Sequence, residues 1–258
     1  MIALERVSKS FAGAAGVAVR QVSLEVPARS FLAVVGESGS GKTTLLKLVN
    51  RLLEPDEGSV AVGGQPARSL APYALRRHIG YVFQGVGLFP HMSVAENIGI
   101  TPRLMGWPAA EIDARVEELI DLVALPRAYL TRKPAELSGG QRQRVGIARA
   151  LAARPGIMLM DEPFGALDPV TRDTLGTEYR RLHDQMQLTT LMVTHDVLEA
   201  VLLADRIVVM RAGSIVADGL PHELLAGHAD PAVRALMEMP RRQAERVRAL
   251  LQERNPRG

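Results

Sequence analysis

Apolar and polar residues alternate over roughly the first 35 positions, in "IALERVSKSF" and "VAVRQVSLEVPARSFLAVV", around glycine and proline. A period of two puts successive side chains on opposite faces, so this stretch predicts short antiparallel strands ending in a buried one, "FLAVV". The period then lengthens: in "GKTTLLKLVNRLL", Leu45, Leu48, Val49 and Leu52 recur at helical spacing and share a face. "EPDEGSVAVGGQPA" carries turn residues around a short hairpin. From about 88 to 155 the pattern is helical, in "SVAENIGITPRLM", "PAAEIDARVEELIDLVAL" and "GGQRQRVGIARALAA", the second opened by Pro108 near N1 and early acids. After Pro155 come three strand candidates, "IMLMD", "TTLMVTHD" and "RIVVMRAG", separated by helix candidates at roughly 170–187 and 196–203. Strand, helix, strand, helix predicts a parallel sheet with crossover helices. The block 88–155 then becomes a helical insertion in an α/β core built from 1–87 and 156–225. Residues 221–255 read as polar helix, with Arg241, Arg242, Arg246, Arg248 and Arg254 set against Glu245 and Glu253. A solvated terminal extension over 226–258 is the expectation there.

Composition narrows the classes. A chain of 258 residues with 47% apolar content has material for one large α/β domain or two small ones. The balance of 31 Lys+Arg against 28 Asp+Glu leaves +3, which gives no charge argument for a nucleic-acid or membrane partner. The sequence has no cysteine, which excludes disulfides, thiolate zinc sites and cysteine nucleophiles. "MIALERVSKSF" lacks the basic start and apolar run of a signal peptide. The longest apolar runs fall well short of the roughly 18–20 residues that span a bilayer.

"GESGSGKT", Gly36 to Thr43, sits where a strand gives way to a helix and fits G-x-x-x-x-G-K-[ST]. Successive backbone N–H groups of such a loop wrap a phosphate at the positive end of the helix dipole. Gly36, Gly39 and Gly41 permit the curvature, and Ser38, Ser40 and Thr44 belong to the same cradle. Lys42 would reach the β- and γ-phosphates and the Thr43 hydroxyl would ligate Mg²⁺. The loop alone leaves kinase, GTPase, helicase and transporter open.

"IMLMDE", residues 157–162, is an apolar strand ending in two acids. Acids in such a place usually belong to a plain loop. Paired with an upstream phosphate loop, Asp161 is better read as a Mg²⁺ ligand and Glu162 as the general base that polarises an attacking water. Gln84, closing "IGYVFQ", would sense the γ-phosphate or the metal. His195, closing "TTLMVTHD", would reach the γ-phosphate from a neighbouring strand end. "GALD", Gly165 to Asp168, follows the acids closely enough to lie beside them. His78, His91, His183, His222 and His228 are read as structural.

The ordered set of phosphate loop, Gln84, "LSGGQ", "IMLMDE", "GALD" and His195 resembles the ATP-binding cassette family over about residues 2–225. "LSGGQ" is the specific element, because kinases, GTPases and helicases do not carry it between a phosphate loop and an acid-terminated strand. The resemblance implies a P-loop NTPase: a parallel-sheet core, an antiparallel β subdomain and an inserted α-helical subdomain bearing the signature. It implies that Phe11 stacks on adenine; Phe11 as an ordinary strand residue is the alternative. Two cassettes would face each other head to tail, an identical pair or two different chains. ATP on one phosphate loop would then be capped by Ser138, Gly139, Gly140 and Gln141 of the other, with Asp168 near the shared site.

A closer likeness is to ATPase subunits of importers for glycine betaine, choline and carnitine. It is carried by "RRHIGYVFQGVGLFPHMSVAENI", "ITPRLMGW", "ELSGGQRQRVGIARALAARP" and "LMDEPFGALDPVTR". That likeness implies ATP and Mg²⁺ as cofactors, separate transmembrane permease subunits, a periplasmic or lipid-anchored solute-binding protein, and a peripheral place on the cytoplasmic face of the cell membrane. An importer for another small solute, such as an amino acid or sulfonate, stays open. A cassette ATPase acting on nucleic acid is disfavoured, since those carry a long coiled-coil insertion or two cassettes in one chain. Two departures stand out: "RKPAELSGG" replaces an aromatic–proline pair at Lys133, and "FAGAAGVAVR" is a loose version of the adenine loop. About 33 residues follow position 225, so a further regulatory domain is expected to be absent.

Overall fold

The computed structural model describes residues 1–11 and 16–253. Among them, two sheets share the molecule. The first is antiparallel, with strand order β2-β1-β4-β5, formed by β1 (Ile2–Ser10), β2 (Val17–Val26), β4 (Glu57–Val62) and β5 (Gln65–Pro66). β1 pairs with β2 and with β4, so one alternating face (Ile2, Leu4, Val7, Val22, Leu24) goes inward and the other stays wet.

The second sheet runs β10-β9-β3-β8-β7-β6. Its strands are β3 (Phe31–Val35), β6 (Ile79–Val82), β7 (Ile157–Asp161), β8 (Thr189–Thr194), β9 (Arg206–Arg211) and β10 (Ser214–Gly219). From β9 to β6 all pairings are parallel; β10 alone is antiparallel, to β9. A parallel strand is covered on both faces, so it reads as a continuous apolar run, and all five residues of β3 are buried. One face packs with α1 (Lys42–Val49) and the antiparallel sheet around Leu32, Val34, Leu45 and Leu46. The other joins one core with α3 (Val94–Leu104), α4 (Ala109–Leu122), α5 (Gly139–Leu151), α6 (Pro169–Met186) and α7 (Val197–Leu203). The short α2 (Pro72–Arg77) leads into β6.

Three sequence expectations shift. The helix after the phosphate loop stops at Val49, because Arg51 turns left-handed (φ 49°) and spends its guanidinium on the carbonyl oxygens of Ala67 and Leu70 at 3.1 and 2.6 Å. Leu52 therefore leaves the apolar face and is 40% exposed. β6 ends two residues before Gln84, which lies in a loop. Pro108, expected near N1, is the N-cap of α4 and directly precedes it. The segment after 220 is two helices, α8 (Pro221–Ala226) and α9 (Pro231–Glu253), divided at Gly227 with φ 139°. Arg254 and most of the loop after Phe11 (12–15) lie outside the described residues.

His183 is a buried core residue whose Nδ1 pairs with the Thr190 hydroxyl at 2.9 Å, while Tyr179 reaches the same hydroxyl at 2.8 Å. Among the described residues, no helix is long and apolar enough to cross a membrane.

Candidate nucleotide site

Strand β3 delivers the chain into the loop Gly36–Gly41, and the loop hands it to α1. Two glycines make the path possible. A Cβ on Gly36 (φ 152°) would meet the Met210 carbonyl at 2.2 Å, and one on Gly41 (φ 102°) would meet that of Ala18 at 2.1 Å. Lys42 folds back over this loop, its Nζ donating to the carbonyls of Gly36 and Glu37 at 2.7 and 2.8 Å. Burial lowers the ammonium's pKa, with Glu162 and Asp161 acting in the opposite direction.

β7 pairs with β8, which pairs with β3, so the acids at the end of β7 come level with the loop. Asp161 is only 2% exposed, and one carboxylate oxygen accepts from the Thr43 hydroxyl at 3.0 Å. Its pKa is raised, burial being the main cause and the Thr43 bond the principal opposing effect. Glu162 follows with a left-handed backbone (φ 52°), its N–H donating to the Val193 carbonyl at 2.9 Å. That turn sends its carboxylate to Nδ1 of His195, which stands just past β8.

The result is a cavity of about 360 Å³ lined by Ala18, Ser38 to Thr44, Gln84, Glu162 and His195. Every lining residue except Ala18 was expected from the sequence. Ala18 enters because β2 runs beneath the loop; a small residue on an edge strand carries no signal of that. Asp161 reaches the cavity through Thr43. The remaining candidates lie elsewhere. Phe11 is 40% exposed at the end of β1, with Lys9 Nζ 6.0 Å from its ring centroid, and does not line the cavity. Asp168 caps α6 by accepting from the Thr171 N–H at 3.0 Å.

Ser138 caps α5 reciprocally with Gln141: the Ser138 hydroxyl accepts from the Gln141 N–H at 3.2 Å, and the Gln141 side chain accepts from the Ser138 N–H at 2.9 Å. None of Ser138, Gly139, Gly140 or Gln141 lines the cavity. Gly140 instead abuts the "GALD" loop, where an added Cβ would meet Leu167 Cδ2 at 3.2 Å. In the divergent "RKP" segment the Arg132 guanidinium stacks 3.7 Å from the Tyr129 ring centroid, and the Lys133 N–H donates to Glu136 at 2.7 Å.

Three groups were missed by sequence reasoning because their meaning is purely tertiary. Asp196 caps α7 with one oxygen and holds Arg172 at 3.0 Å with the other, tying the His195 loop to the start of α6. Arg149 donates to the carbonyls of Val86 and Gly87 at 2.7 Å each. Glu199 is 8% exposed, and its carboxyl is pushed up to about 7, chiefly by burial, with a hydrogen bond from Thr194 acting against the shift. The folded chain therefore holds this proton more tightly than the unfolded chain, whose carboxyl titrates near 4.5. Stability from this group is complete below that value and is lost as pH rises through about 7. Glu199→Gln keeps the shape without the ionisation, so it should melt close to wild type at pH 4.5 and higher at pH 8, by about 2–3 kcal/mol. Thermal melts across that range check it; a gap independent of pH would contradict the assignment.

Residues 19–165 match the family model described as ABC transporter. The chain belongs to that family. It is 48% identical over 233 residues to the choline transport ATP-binding protein OpuBA of Bacillus subtilis, covering 90% of this chain and 61% of the relative. It is likewise 48% identical over 234 residues to the glycine betaine uptake system ATP-binding protein YehX of Escherichia coli, covering 91% and 75%. The chain thus spans about three fifths of the first of these relatives. Among solved structures it superposes with a TM-score of 0.80 and 31% identity on an ATP-binding cassette captured as a dimer with ADP and phosphate after hydrolysis, covering 85% of this chain and 98% of that one.

Proposed function

We propose that this chain is the ATP-hydrolysing subunit of an importer for a compatible solute such as a quaternary amine, acting through separate permease subunits. The observation that carries the reading is the convergence of the Gly36–Thr44 loop, Gln84, Glu162 and His195 on one cavity. The names of the relatives above, which specify choline and glycine betaine, support the cargo class.

The residues fit Mg²⁺ as well as phosphate. Asp161 is a buried carboxylate with a single hydroxyl partner in Thr43, and Gln84 adds an amide oxygen to the same cavity; hard oxygen donors suit that ion. When bound, the ion neutralises charge on the β- and γ-phosphates. Lys42 leaves the carbonyls of Gly36 and Glu37 for phosphate oxygens, and the loop N–H groups hold the rest. Glu162 draws the proton from the attacking water, and His195 keeps that carboxylate aimed.

The site is half of a larger one. Ser138, Gly139 and Gly140 stand at a capped helix start away from the cavity and would close the nucleotide of a second copy facing head to tail. The dimeric structure of that solved relative supports this arrangement. ATP favours the closed pair and hydrolysis removes the preference. The helical block, with boundaries near 88 and 155, would pass the motion to the permease, placing the chain on the cytoplasmic face of the membrane. A solute-binding protein would complete the complex.

The test is reconstitution of the chain with its permease and solute-binding protein in vesicles. Magnesium-dependent ATP turnover stimulated by choline or glycine betaine, together with uptake of that solute, is expected. Turnover that persists in EDTA ends the mechanism, and stimulation by sulfate alone would reassign the cargo.

A further inference from the structure

The three residues after Gln84 are all wound left-handed: Gly85 (φ 80°), Val86 (φ 70°) and Gly87 (φ 54°). For a β-branched residue this is a sterically strained backbone, and it persists only where the surroundings over-determine it. Short local bonds tighten the turn, from the Val86 N–H to the Phe83 carbonyl at 3.0 Å and from the Gly87 N–H to that of Gly85 at 2.9 Å. The strain itself is held from α5, the helix that begins with the LSGGQ glycines.

Two neighbouring positions on that helix do the holding. At Gly146 the helix has a notch filled by Val86: a Cβ built there would lie 2.8 Å from Val86 Cγ1, and Val86 is 6% exposed. Glycine in the middle of a helix is unfavourable relative to alanine, so the notch is maintained against local propensity. One turn further on, Arg149 forks its guanidinium over the same segment, donating to the carbonyls of Val86 and Gly87 at 2.7 Å each. Arg149 is 8% exposed and makes no ion pair with an acid among the described residues. A buried cation satisfied by two carbonyls has no second place to go without leaving both unpaired.

We propose that Val86, Gly146 and Arg149 form a latch that locks the signature helix to the segment carrying Gln84, so that α5 positions the Gln84 amide in the phosphate cavity. A displacement of α5 then moves Gln84 directly, and the strained turn makes the linkage stiff. These are positioning residues; none of them lines the cavity. The inference rests on the reading that Gln84 works at the γ-phosphate or its metal.

The experiment compares wild type with Gly146→Ala, Val86→Ala and the double variant. It uses amide hydrogen exchange over residues 84–88 of the nucleotide-free chain and, separately, ATP turnover. In Gly146→Ala the new methyl displaces Val86, so exchange over 84–88 should rise by about tenfold or more. The turnover number should fall about tenfold with KM for ATP within about twofold, because Gln84 is misplaced while the phosphate loop is intact. The double variant removes the methyls that collide and should return both readouts to within about threefold of wild type.

Wild-type exchange over 84–88 in Gly146→Ala overturns the latch, as does a double variant no better than the single. Altered exchange with unchanged turnover overturns the link to Gln84. Should Gly146→Ala fail to fold, Arg149→Lys carries the same test, since an ammonium keeps the charge but loses the fork. A wild-type chain without ATP turnover ends the proposed function, and the exchange data then decide the latch alone.

Discussion

Glu162→Gln is expected to lower ATP turnover by about 10²–10⁴-fold, the usual contribution of a positioned general base, while leaving nucleotide binding near wild type. The separation follows from where the groups sit. In the proposed mechanism the phosphate contacts come from the Gly36–Thr44 loop, including Lys42, which lines the β3–α1 side of the cavity. Glu162 approaches from the end of β7, its direction fixed by the left-handed turn and the N–H bond to Val193. Gln has the same length and keeps an oxygen for His195, so geometry changes little; only the capacity to take a proton is lost. With hydrolysis blocked, the closed pair should accumulate. Size-exclusion profiles of the variant with ATP and Mg²⁺ should therefore show dimer where the wild type shows mostly monomer. Single-turnover hydrolysis measured alongside gives the decisive readout: a rate close to wild type would remove Glu162 from the chemistry.

The parts of this site that were legible in the sequence are those written in contiguous residues. The phosphate loop announces itself because glycine, lysine and threonine must stand at fixed offsets to curve the backbone and reach two phosphates. The acid pair of β7 and the placement of His195 follow from recognising parallel strands, whose ends necessarily align on one side of the sheet. What stayed hidden depends on contacts between distant segments. Val86 and Gly146 are 60 positions apart, and neither has a helical or strand signature that names the other. Leu52 kept perfect helical spacing with Leu45, Leu48 and Val49, yet the chain had already turned at Arg51, whose partners Ala67 and Leu70 come from beyond the next strand. Asp196 caps α7 with one oxygen, and its second oxygen finds Arg172 only once α6 and α7 are side by side. The distance of Ser138, Gly139 and Gly140 from the cavity is informative in the same way. A local motif shows that a group can bind phosphate; only the fold shows whether it lines the cavity of its own chain.

Asp161→Asn should act in opposite directions on the empty and the loaded protein. In the empty chain Asp161 is a buried carboxyl whose pKa lies above the ordinary 3.8, mainly because burial penalises its charged form. Its folded form holds the proton more tightly than the unfolded form. The associated stability is complete below 3.8 and is lost as pH rises through the folded value. Asparagine removes the charge and still offers an oxygen to the Thr43 hydroxyl. The variant should therefore melt higher than wild type near neutral pH, by about 1–2 kcal/mol, with the difference closing in acid. Magnesium and ATP should reverse the order. The carboxylate that burial makes unfavourable in the empty site is the group a divalent cation would compensate, so wild type should gain much more from Mg·ATP than the variant does. Turnover should fall by at least about 10²-fold. Paired melts from pH 5 to 8, with and without Mg·ATP, read both signs at once. Equal stabilisation of wild type and Asp161→Asn by Mg·ATP would show that the metal is held elsewhere. A variant that melts below wild type when empty would show that the Thr43 bond outweighs burial, and the charged form of Asp161 would then be the stable one before any ligand arrives.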